Sequence, residues 1–158
     1  MTGIPFYLGV FLFCNMKKEL KVEELNKKVF KNLESIDSLN ILERYAYFLG
    51  KAQIIEFGLK KFLTERYNYQ AEKLEKNTLG QLIYKMKEEG IRPDFTRLLE
   101  ELLAYRNSMV HEFLNNFVLI ESIHPSSGRL VLKELNHALF KVEEITLVYD
   151  FLYVNKYI

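Results

Sequence analysis

The sequence predicts an all-α fold, an antiparallel bundle of about five helices. Three observations lead there. Apolar residues recur at steps of three and four along most of the 158-residue chain, the spacing that gathers them on one face of a helix. Two stretches, Asn40-Ile41-Leu42-Glu43 and Thr78-Leu79-Gly80-Gln81, have the form of a helix capping box. No repeat, low-complexity tract or linker divides the chain, so the helices have one core to share.

The first fifteen residues stand apart. Ile4 to Cys14 is an apolar run of about eleven residues, too short to span a bilayer. The basic residues Lys17 and Lys18 follow it rather than precede it, unlike a signal peptide. Met16-Lys17-Lys18-Glu19-Leu20 reads as a natural start, which makes residues 16–158 the expected domain. Residues 1–15 are then either an upstream or strand-like extension, or an apolar arm used in association.

The first helix is expected from Lys18 to Ile36, with Leu20, Leu25, Val29, Leu33 and Ile36 on one face. Lys17, Lys21, Lys28 and Lys31 form a basic stripe, but Glu23–Lys27 and Glu24–Lys28 are i,i+4 pairs. A self-neutralised solvent face suits them better than an RNA track. The second helix opens at the Asn40 cap and runs to about Tyr67, with Tyr45, Phe48, Leu49, Ala52, Ile55, Leu59 and Phe62 inward. Gly50 and Gly58 lie within it and are expected to permit a close helix crossing.

A short third helix follows Thr78 and stops at Gly90 and Pro93. The fourth runs from near Asp94 to about Asn115. Phe117 to Ile123 is apolar, either a continuation or an extended turn, and Pro125-Ser126-Ser127-Gly128 is a loop. The last helix spans roughly Leu130 to Val154, with Leu135, Leu139, Val142, Ile145, Val148 and Leu152 on one side.

Composition excludes more than it selects. Twenty-two Lys and Arg against twenty-one Asp and Glu give no global attraction to a polyanion or an anionic membrane, so any RNA site must be local. The single cysteine, Cys14, rules out an intrachain disulfide and suits a reducing cytoplasm. No membrane association is expected. His111, His124 and His137 lack ligand spacing with Cys or carboxylates, so neither a metal nor a cofactor is expected.

One residue breaks the pattern of the fourth helix. Its apolar face reads Phe95, Leu99, Leu102, Arg106, Met109, Phe113, Phe117, with an arginine where leucine is due. The residues three and four away, Leu102, Leu103, Met109 and Val110, include no acid. A buried, unpaired guanidinium costs several kcal/mol, because its charge cannot be titrated away. Either a carboxylate such as Glu56 reaches it from another helix, or this face opens onto a cleft or an interface. Asn107, His111 and Asn115 form a polar stripe alongside. On a straight helix Arg106 and His111 would point ~140° apart and lie ~7.5 Å apart along the axis. One phosphate could then meet both only through a long reach, a distorted helix or a second subunit.

Tyr105-Arg106-Asn107-Ser108-Met109-Val110-His111-Glu112 resembles the signature of the HEPN superfamily of small helical domains. That signature is an Arg, usually followed by a polar residue, with a His four to six residues beyond. Asn107 fills the polar slot here, and the looser likeness runs from about Leu42 to Phe117.

The resemblance implies a metal-independent endoribonuclease acting in bacterial defence or as the toxin of a toxin–antitoxin pair. It implies a homodimer through the motif helix, an RNA substrate and an antitoxin protein as partner. By carry-over His111 is the general acid or base, since imidazole is the side chain that titrates closest to neutral pH. Arg106 holds phosphate oxygens through its planar fork, and Asn107 orients the phosphate or the histidine. In one toxin–antitoxin branch a tyrosine two positions after the histidine is modified by a partner nucleotidyltransferase. Phe113 stands there in this chain, so that form of control is not expected. Two rivals remain: a non-catalytic HEPN-like module binding nucleotide, RNA or a partner protein, and a plain scaffold that buries Arg106 against an acid.

Overall fold

The computed structural model describes residues 20–113, 115, 117 and 128–158. The apolar arm with Cys14, most of the Phe117–Ile123 segment, His124 and the Pro125–Ser127 loop lie outside these residues. Among the described residues every element is helical, and the protein is an all-α bundle. Helix α1 spans Val22–Glu34, α2 Ile41–Tyr67, α3 Ala71–Glu75, α4 Leu79–Glu88 and α5 Pro93–Ser108. A π-helical turn, Met109–Phe113, continues α5, and α6 spans Gly128–Val154. The short α3 is absent from the sequence reading, because five residues are too few to show a helical period.

Local chemistry sets the boundaries. Asn40 takes an extended conformation, and its Oδ1 accepts from the backbone N–H of Leu42 and Glu43, each at 3.0 Å. Glu43 Oε2 returns the favour to Asn40 N at 2.8 Å, so both expected halves of the capping box form. Gln81 Oε1 accepts from Thr78 N at 2.9 Å in the same way. Asn68 closes α2 and Gly90 follows α4, both in the left-handed region at φ 56° and 71°. Pro93 is the first residue of α5, where a missing N–H costs nothing.

The directions of the long helices follow from their contacts. Arg44 meets Asn136 at one end of the α2–α6 pair and Glu65 meets Tyr153 at the other, so these two helices run parallel. Lys141 pairs with Glu101, and Ser108 donates to Glu134, so α5 runs antiparallel to α6. Helices α2, α4, α5 and α6 enclose the core, with α1 on the flank of α6. Every apolar residue expected inward on the last helix, from Leu135 to Leu152, is buried. Among the described residues no helix is long and apolar enough to cross a membrane.

The core also holds one charge. Glu143 on α6 is only 1% exposed, and accepts from Asn32 Nδ2 at 2.9 Å, Tyr47 OH at 2.8 Å and Lys51 Nζ at 3.0 Å. Three helices thus meet on one carboxylate. Burial pushes its pKa up, but the bonds from Asn32, Lys51 and Tyr47 outweigh burial and leave it below the usual value. Lys51 shows the converse. Burial would lower its pKa, and the Glu143 hydrogen bond and charge raise it overall.

The two glycines of α2 prove unlike. A Cβ on Gly58 would lie 3.3 Å from the Tyr149 ring, whose hydroxyl donates to the Gly58 carbonyl at 3.0 Å. Tyr149 also stacks on Phe95 and Tyr153 and has little room to retreat. Gly58 therefore permits the expected close crossing. Gly50 does not, since a Cβ there would meet nothing within 4 Å. Gly58→Ala is expected to lose about 1 kcal/mol in urea unfolding, because overpacking outweighs the gain in helix propensity. A gain in stability would mean that Tyr149 yields.

Candidate functional site

The buried stripe of α5 leads into the site. Phe95, Leu99 and Leu102 are fully buried, and Met109 and Phe113 resume the stripe in the π turn. Arg106, between them, is half-buried. Among the described residues it makes no ion pair and no side-chain hydrogen bond. The suggested partner Glu56 is held instead by Lys60 at 3.0 Å, four residues along the same helix. Lys60 also donates to the Glu75 carbonyl, which ties that pair to α3 and away from the motif.

The helix that carries the motif is not straight. The α geometry expected to reach about Asn115 gives way after Ser108 to the wide turn Met109–Phe113. A π turn holds one residue more than an α turn and so rotates the chain less per residue. Over the interval from Arg106 to His111, this lowers the expected angle from ~140° to roughly 100°. Packing accompanies the widening: Phe113 stacks on Tyr45 of α2 at 4.9 Å between ring centroids and on Phe117 at 6.1 Å. The turn buries Met109 and Phe113 while Val110, His111 and Glu112 stay outside.

Around this turn the polar groups divide by role. Asn107 and His111 are exposed, as is Asn115, whose Nδ2 donates to the His111 carbonyl at 3.3 Å. That bond ties the chain after the turn to the histidine's backbone, and the ring itself meets no partner among the described residues. Ser108, half-buried, donates to Glu134 in the early turns of α6. Arg44 stands at the same end of the bundle but is committed to structure. It bonds the carbonyls of Asp37 and Leu39 at 2.6 and 3.0 Å, besides Asn136.

The structure thus gathers Arg106, Asn107 and His111 within the end of α5 and its π turn, with the guanidinium half-buried and the other two open to solvent. Such a set can meet an external anion and exchange a proton with it. The sequence reading did not foresee the Ser108–Glu134 contact, which joins residues 26 apart through tertiary packing. It also missed the Glu143 cluster, whose one local signal was a carboxylate inside the apolar arc of α6, beside Val142. Compared with known protein families, curated proteins and solved structures, the chain finds no match.

Proposed function

We propose that this protein is a metal-independent endoribonuclease of the HEPN type, serving bacterial defence or a toxin–antitoxin pair. The observation that carries the reading is the wide turn within the motif. By ideal helix geometry it narrows the angle between an exposed His111 and a half-buried Arg106 to roughly 100°, and Arg106 has no acid partner among the described residues. A scaffold would pair that arginine with a buried carboxylate.

In this reading a ribose 2′-oxygen attacks the adjacent phosphorus while its proton passes to a base. The P–O5′ bond breaks, and an acid returns a proton to the leaving oxygen. The products are a 2′,3′-cyclic phosphate and a 5′-hydroxyl. His111 moves one of these protons. Arg106 offers a fork of donors to the phosphate oxygens as negative charge gathers on them, and Asn107 orients the phosphate. The second proton carrier comes from the motif helix of a second copy, which is why this reading includes a homodimer through α5. An antitoxin protein is its cellular counterpart.

Cleavage of single-stranded RNA is expected to persist in excess EDTA and to leave 2′,3′-cyclic phosphate ends. Activity lost to chelator and restored by a divalent ion would overturn the mechanism. RNA bound but never cut would leave the binding-module reading.

A further inference from the structure

The outer face of α2 is apolar where solvent calls for charge. Leu42 is 51% exposed, Ile54 65% and Phe57 70%, and Ala46, Gly50 and Gln53 lie on the same arc. Between Glu43 and Lys61 no charged residue occupies the exposed arc, a length of ~27 Å. A surface helix ordinarily presents charged residues there. Gly50 adds a second oddity, for mid-helix glycine weakens a helix and no neighbour among the described residues needs the space it leaves.

We infer that this face is a self-association surface whose occupant is α2 of a second copy of this chain. The face is complementary to itself. Ile54 and Phe57 protrude, and Ala46 and Gly50 form a notch one to two turns toward the N-terminus. A twofold axis near residue 52, with the two helices antiparallel, lays Ile54 of each copy over Gly50 of the other. The same axis carries Phe57 to the region of Ala46 and Tyr47. It also brings the acidic start of the stripe, Glu43, beside its basic end, Lys61, in both halves of the pair. A parallel pairing would set like charges together. The stripe and its flanks offer on the order of 500 Å² per copy, so a pair covers about 1,000 Å², the size at which specific contacts begin.

This surface is distinct from the motif. Helix α2 meets the motif turn through the half-buried Tyr45, which stacks on Phe113, whereas the apolar arc lies on the exposed side of α2. The inference does not depend on the nuclease reading.

Sedimentation of the full chain tests it. With the motif-turn contact blocked by Val110→Asp, the chain should still self-associate at tens of micromolar, and adding Ile54→Asp with Phe57→Asp should weaken that association by at least roughly tenfold in Kd. Gly50→Leu is the sharper variant. It adds a better helix former into open space within one chain, so the monomer should fold at least as well, yet it fills the notch and should dissociate the pair. Gln53→Cys in a Cys14→Ser background should cross-link between copies on mild oxidation, whereas Lys73→Cys, exposed on α3, should not. A wild type that stays monomeric overturns the inference. So does association unchanged by the α2 variants, including the case in which Val110→Asp on the motif turn alone abolishes it. Loss of RNA cleavage in His111→Ala with pairing intact would concern the other reading only.

Discussion

His111→Ala should lower RNA cleavage by on the order of 10² to 10⁴ while leaving the melting temperature nearly unchanged. The stability half of this expectation comes from position: the imidazole is exposed, and the hydrogen bond at this residue is made by its backbone carbonyl. Truncation removes a proton carrier and little packing. Arg106→Ala should abolish cleavage as well, and its stability effect separates the two accounts of the broken stripe. A guanidinium paired with a buried acid would cost roughly 3–5 kcal/mol on removal. A half-buried arginine without an acid partner among the described residues should cost far less, or its loss should stabilise the helix. Thermal melts beside single-turnover cleavage assays measure both. A large stability loss from Arg106→Ala, together with full activity in His111→Ala, would sink the nuclease reading and leave a scaffold.

The largest stability effect is expected at Glu143. Replacement by alanine removes the acceptor for Asn32, Tyr47 and Lys51 in one step. Removing one member of a buried ion pair typically costs 3–5 kcal/mol. The Lys51 side chain keeps 26% exposure and can turn to water, so the low end, about 3 kcal/mol, applies here. For a chain of this size that lowers the melting temperature by roughly 6–12 °C. Glu143→Gln keeps an acceptor for two of the donors but leaves Lys51 without its counter-charge, and should cost less.

The pH dependence has a definite sign. The folded pKa of Glu143 lies below its ordinary value of 4.5, so its contribution is present above that value and fades as pH falls through the folded one. Lys51 is raised above 10.5, so its contribution is present below that value and fades as pH rises through the folded pKa. The stability gap between wild type and Glu143→Gln should therefore be widest near neutral pH and narrow in acid. Urea unfolding across that range checks it, and a gap unchanged by acid would mean the carboxylate's charge contributes little.

The two glycines of α2 could not be told apart from sequence, because a glycine's purpose depends on what stands opposite. Gly58 faces the Tyr149 ring from a helix 91 residues away in the chain, while Gly50 faces nothing among the described residues. The arginine raised the same difficulty. Spacing marked Arg106 as misplaced in an apolar stripe, but whether Glu56 reached it depended on Lys60, which pairs with that carboxylate and is itself held by the Glu75 carbonyl of α3.

What the sequence determined by itself is the part of the molecule written in short-range chemistry. Helix identity follows from a period of three to four residues, and helix starts follow from Asn40 with Glu43 and Thr78 with Gln81, whose bonds close within three residues. The inward face of α6 and the place of Arg106, Asn107 and His111 on one helix are equally local. Tertiary structure alone decided which helices run parallel, which donors meet on Glu143, and where α5 widens into a π turn as Phe113 packs against Tyr45. These features depend on which side chains arrive opposite one another from distant parts of the chain, and a one-dimensional period carries no record of that meeting.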